Sequence, residues 1–66
     1  MNNEFFAQNL RRRREAQDLS RVELAKKCNT THTSIGRWET GETKPDIEQA
    51  SLLAKVFKIS IDELFY

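Results

Sequence analysis

The amino-acid sequence predicts an all-α fold, a compact five-helix bundle, on three observations. Capping and stop signals divide the 66 residues into five short stretches with no convincing strand. Within each stretch, apolar residues recur three and four positions apart, the spacing that gathers them on one side of a helix. The connections are roughly two to six residues long, too short for anything but packing between neighbours.

The first helix is predicted over Asn3 to Gln17, with Phe6 and Leu10 on one stripe. The second, Arg21 to Cys28, opens on Ser20 followed by Glu23. In this capping box the hydroxyl accepts from an orphan amide and the carboxylate reaches back to the cap. Its inner stripe is Leu24, Ala25 and Cys28. The third, His32 to Thr40, is capped by Thr31 and directs Ile35 and Trp38 inward. It ends at Gly41, the residue type that turns left-handed without strain. Pro45 forbids a helix through the next connection, and Asp46 with Gln49 opens the fourth, Ile47 to Phe57, whose stripe is Leu53, Val56 and Phe57. Ser60 with Glu63 opens the fifth, Ile61 to Phe65, and Leu19, Ile59, Ile61 and Leu64 fill the joints. Nothing marks a linker or a repeat, so residues 1–66 read as one domain.

Composition excludes several classes. A chain of this length buries only about 60% of the surface its unfolded form exposes, so the apolar residues go to one core and none remain for a deep catalytic cleft. Paired carboxylates, histidine clusters and a phosphate-cradling glycine loop are all missing, so no enzyme, cofactor or small-molecule substrate is expected. Cys28 has no partner for a disulfide or a zinc site and reads as a small core residue. His32 has no second ligand spaced for a metal. No apolar run approaches the roughly 20 residues that span a bilayer, and the start MNNEFFAQNL lacks the basic and apolar regions of a leader. The expectation is a cytoplasmic protein without a membrane partner. The net charge of +1 divides unevenly: nine basic and six acidic residues up to Lys44 give +3, and two basic and four acidic from Pro45 give −2. Any argument for nucleic acid therefore rests on where the charges sit.

The informative stretch is SRVELAKKCNTTHTSIGRWETGETKP, residues 20 to 45. A two-turn helix, then Asn29, Thr30 and Thr31, then another short helix is the spacing of a helix-turn-helix, which sets its helices at about 90 to 120°. Ala25 is small where the helices approach, and Asn29 suits a positive φ. Stepping about 100° per residue from Ile35 puts Trp38 and Glu39 toward the core and Thr33, Gly36, Arg37 and Thr40 opposite. That outer face is polar and slender, the shape that enters a major groove about 12 Å wide.

These residues resemble the DNA-binding domains of lambdoid phage repressors and Cro proteins and the wider Xre family, whose run LSQxELA, turn, recognition helix ending WExG, then P is matched here by LSRVELAKK, CNTTHTSI, GRWETG and KP. The resemblance spans Leu10 to Leu64. It implies a sequence-specific transcriptional regulator, a repressor or Cro-like protein binding a two-half-site double-stranded DNA operator as a homodimer. It maps base reading to His32, Thr33 and Arg37, with Ser34 and Gly36 as lesser candidates, and phosphate contacts to Arg21, Thr31, Thr40, Gly41 and Lys44. Arg37 is the foremost candidate, because arginine pairs bidentately with guanine. Arg21 stands where glutamine is usual, Asn29 where glycine is usual, and polar Thr30 where an aliphatic is usual. An ion pair between Arg14 and Glu39 is also implied, and the helical wheel agrees: Arg14 lies within about 80° of Phe6 and needs a partner.

The run Arg11 to Arg14 sends its side chains to four sides of a helix and reads mainly as solvation and scaffold pairing. Phe65, Tyr66 and Ile61 at one end and Phe5 at the other are candidate dimer surfaces. The competing reading is a protein-interaction module, such as an antitoxin or a regulator whose main partner is another protein.

Overall fold

The computed structural model describes residues 4–66, and among these residues there are five α-helices and no strand. They are α1 Glu4–Ala16, α2 Arg21–Lys27, α3 His32–Thr40, α4 Ile47–Phe57 and α5 Ile61–Phe65. Asn3, where the first helix was expected to begin, lies outside the described residues.

Every start after α1 is set by a side chain three residues before the amide it satisfies. Ser20 Oγ accepts from the Glu23 amide at 3.0 Å while Glu23 Oε1 accepts from the Ser20 amide at 2.8 Å. Asp46 and Gln49 repeat the box at 2.8 and 3.1 Å, Ser60 and Glu63 at 3.2 and 3.3 Å. Thr31 Oγ1 accepts from the Ser34 amide at 3.2 Å.

The stops of α1 to α4 share one device. Asp18, Asn29, Gly41 and Lys58 all take positive φ, at 55, 54, 80 and 57°. After each, the next amide reaches back five residues: Leu19 to Arg14, Thr30 to Ala25, Glu42 to Arg37 and Ile59 to Ala54, at 3.2, 2.9, 3.0 and 3.0 Å. This double turn satisfies carbonyls that a helix end leaves orphaned. It also explains two boundaries: α1 stops at Ala16 and α2 at Lys27, one residue short of expectation, because Gln17 and Cys28 become the caps before Asp18 and Asn29.

One core gathers all five helices. Phe6, Leu10, Leu24, Ala25, Cys28, Ile35, Trp38, Leu53, Phe57 and Leu64 are buried, with Leu19, Val56 and Ile59 packed at its edge. Ala50 and Ala54 add a small-residue face on α4 that periodicity had not singled out. Desolvation pushes the Cys28 thiol up to about 11, which keeps it protonated and inert at neutral pH. No helix among the described residues is long and apolar enough to cross a membrane.

At the terminus the aromatic patch is partly spent. Phe65, expected as an exposed dimer contact, stacks on Phe6 with centroids 4.8 Å apart and planes at 15°. The ring covers the α1 end of the core, which leaves Tyr66 and Phe5 as the exposed aromatics there.

Candidate nucleic-acid interface

Helix α3 is gripped along one side and open along the other. Ile35, Trp38 and Glu39 are buried, whereas His32, Thr33, Arg37 and Thr40 are exposed and Ser34 and Gly36 lie between. Helix α2 braces it from below through Leu24 and Ala25, and the left-handed Asn29 turns the chain between them.

The grip is ionic as well as apolar. Arg14, near the end of α1, donates from Nε to Glu39 Oε2 at 2.6 Å and from Nη2 to Oε1 at 3.1 Å, and Nη1 donates to the Leu19 carbonyl at 2.7 Å. All three nitrogens of this guanidinium are engaged. The bond to Glu39, outweighing desolvation, raises the Arg14 pKa further above its ordinary value, so the cation persists at any pH the fold survives. Arg21, the first residue of α2, joins the same carboxylate through Nε at 3.2 Å. Sequence reasoning paired Arg14 with Glu39 and assigned Arg21 to a phosphate. Its hold on Glu39 went unforeseen, because it depends on the packing of α2 against α3.

The remaining candidates sit around this rod. Arg37 Nε lies 3.6 Å from Glu42 Oε2, both side chains largely exposed, a contact that water screens and side-chain motion readily breaks. Thr31 at the cap, Thr40 at the last turn and Lys44 in the following loop are exposed, and Thr40 Oγ1 donates to the Arg37 carbonyl at 3.1 Å. The Gly41 amide, by contrast, is turned back to Trp38 O at 3.3 Å and closes the helix. Pro45 is buried behind the loop.

The arginine run disperses as its periodicity requires. Arg11 pairs with Glu15 at 3.2 Å on the surface, Arg12 and Arg13 donate to Asn9 Oδ1 at 2.6 and 3.1 Å, and Arg14 turns inward. Asn9 itself was missed by sequence reasoning. It is buried, and its Nδ2 donates to the carbonyls of Glu63 and Leu64 at 3.0 and 3.1 Å, capping the far end of α5. A polar residue about 60° from Phe6 on the wheel, at the edge of the apolar stripe, was the available signal.

The Helix-turn-helix family model matches residues 10–64, which take in the gripped third helix and the two-turn brace before it. The chain belongs to the Xre-type helix-turn-helix family. Among helix-turn-helix relatives, it is 32% identical over 59 residues to the HTH-type transcriptional activator BcrR of Enterococcus faecalis. That alignment takes in 89% of this chain and 29% of the activator. The chain spans 29 and 51% of the length of the curated relatives it matches. Among solved helix-turn-helix structures, it superposes on the P22 c2 repressor, solved in complex with a synthetic operator, with a TM-score of 0.88, 28% identity and 91% of each chain covered. The restriction-modification controller protein C.AhdI of Aeromonas hydrophila gives 0.87, 30% identity and 96% of each. The five-helix, lambda-repressor-like fold is thus shared with regulators, and the family is one of transcriptional regulators.

Proposed function

We propose that this chain binds duplex DNA sequence-specifically, with α3 as the helix that enters the major groove. The observation that carries the reading is the two-sidedness of α3: one side is fixed by Ile35, Trp38 and the Glu39 ion pairs, and the other offers exposed His32, Thr33, Arg37 and Thr40. A rod fixed from inside presents donors at defined positions without further ordering on binding, which is what base readout needs.

In this reading His32, Thr33 and Arg37 read base edges, with Ser34 and Gly36 lining the approach. Thr31, Thr40, the Gly41 segment and Lys44 lie toward the two ends of the rod, where the phosphate strands run. Arg21 carries charge suited to a phosphate and also reaches the α3 surface. One such module buries about 600 to 1,000 Å² on DNA, so two copies on half-sites about 34 Å apart supply the affinity of an operator. Exposed Tyr66 and Phe5 are the candidate contacts between copies. The regulator acts as a repressor by occluding the polymerase, a reading supported by its likeness to the P22 c2 repressor along nearly the whole length of both chains.

Selection of bound sites from random duplex DNA tests this. The expected outcome is an enriched site with twofold-related halves, together with shifts of the amide signals from His32 to Thr40 on titrating that site. An unenriched pool, or amide shifts confined to α4 and α5, overturns the reading and favours a protein partner instead.

A further inference from the structure

Gly36 is the one residue on the outer shoulder of α3 with no side chain, yet the space above it is filled. A Cβ built there would meet Arg21 Nη1 at 3.6 Å and Cζ at 3.9 Å. The guanidinium of α2's first residue therefore lies where the outer atoms of a longer side chain at position 36 would go. On a helix the neighbours of Gly36 are the residues three and four away, which are exposed His32, Thr33 and Thr40 and buried Glu39. Arg21 is thus laid over α3 at Gly36, beside the exposed face, with Glu39 as its anchor.

The two arginines on Glu39 differ in what they have left. Arg14 spends Nε, Nη2 and Nη1 inside the protein and its side chain is 11% exposed. Arg21 uses Nε alone, and its side chain is 45% exposed. Glu39 is shared by two guanidinium groups, Arg14 has a second carboxylate, Glu15, 4.0 Å away, and the Nη end of Arg21 is the accessible part of the cluster. An anchor at Nε restricts the rotation of the planar fork, and the end-on pairing of arginine with guanine O6 and N7 uses the two Nη groups.

We propose that Arg21 is a base-reading residue, which stands in for the side chain that Gly36 lacks and presents its Nη pair to a guanine edge in the major groove, while Glu39 acts as its positioning residue. The inference rests on α3 being the groove-entering helix. It moves Arg21 from a sequence-blind phosphate contact to a determinant of specificity.

Arg21→Lys separates the two roles, because lysine keeps the charge a phosphate needs and loses the planar fork a guanine needs. Site selection is run with the wild-type chain, Arg21→Lys and Arg21→Gln, with dissociation constants for the selected site and its single-base changes across a salt series and a melting curve for each protein. The wild type is expected to prefer guanine at one half-site position by about 5- to 150-fold. Both variants are expected to lose that preference alone and to melt as the wild type does, and Arg21→Lys to keep the wild-type salt slope. Full retention of the profile by Arg21→Lys, or an equal weakening on all sequences in both variants, overturns the inference and leaves the DNA-binding reading standing. A wild-type chain with no sequence preference overturns that reading, and this inference with it.

Discussion

Helix α1 holds its neighbours by two polar clamps of different kinds. Toward α3 the clamp is charged: Arg14 and Glu39 meet at 2.6 Å, with Glu39 almost wholly buried and Arg21 as a third member. Toward α5 the clamp is neutral: Asn9 gives both amide protons to the Glu63 and Leu64 carbonyls and accepts from Arg12 and Arg13 through Oδ1. Both are fully satisfied, and among the described residues no buried side-chain polar atom lacks a partner. The neutral clamp needs nothing beyond hydrogen-bond geometry. The charged one requires both Arg14 and Glu39 to be present, because a lone buried charge is far more costly than a lone buried amide, whereas half-exposed Arg21 can be lost without stranding one. The proposed working helix is held by the more demanding clamp, which also brings a cation to its surface.

The largest effect is expected from breaking the charged side. Glu39→Ala leaves Arg14 largely buried with only the half-exposed Glu15 carboxylate 4.0 Å away and frees Arg21, and should cost about 3 to 5 kcal/mol of unfolding free energy. That is a large share of the roughly 3 to 10 kcal/mol available to a domain of this size. Urea unfolding measures it; a loss under about 1 kcal/mol would mean the pair is no more than a surface contact. On the neutral side, Asn9→Ala leaves two carbonyls of α5 unpaired and should cost about 1 to 3 kcal/mol. Hydrogen exchange is expected to rise in α5 while α3 stays protected. Equal loosening of both helices would remove the distinction between the clamps.

These clamps also mark where the sequence was readable. The capping boxes at Ser20, Asp46 and Ser60, the Thr31 cap and the Gly41 stop were visible because each depends on residues within a turn of one another. Asn29 was visible because its residue type tolerates the left-handed conformation. Asp18 and Lys58 adopt the same conformation and were not, since for lysine nothing local favours it. Burial of the following Leu19 and Ile59 draws the chain into that turn. Asn9 was unreadable because its carbonyl partners lie 54 and 55 residues away, on a helix whose docking no periodicity reports. The α3 outer face was readable from the helical wheel alone, and the placement of Arg21 over Gly36 was not.

A smaller effect is expected at the α2 start, which carries both Arg21 and the brace beneath α3. Ser20→Ala removes the acceptor for the Glu23 amide and should cost about 1 kcal/mol. The box also gives this end a pH dependence. Hydrogen bonds from the backbone and side chain of Ser20 hold the Glu23 carboxyl below its ordinary value. A depressed folded-state pKa contributes stability that is present above the ordinary carboxylate range, near pH 4.3, and is lost as the pH falls through the folded value. The Ser20 amide signal should therefore titrate below the ordinary carboxylate range, and Ser20→Ala should bring Glu23 back toward it. The same Glu23 midpoint in the wild type and in Ser20→Ala would count against the box in solution.

The smallest effect has the opposite sign. Glycine inside a helix weakens it by roughly 0.5 to 1 kcal/mol relative to alanine. The added methyl of Gly36→Ala would meet Arg21 Nη1 at 3.6 Å, an ordinary van der Waals contact, so nothing in the fold opposes the change. Gly36→Ala should raise stability by about that amount and leave Arg21 on Glu39. If instead the variant unfolds more easily, the guanidinium is packed more tightly over α3 than its exposure indicates, and the charged clamp extends to the helix surface. Stability gained together with operator affinity lost would mean that a backbone approach to DNA, and not the fold, requires a residue without a side chain at this position.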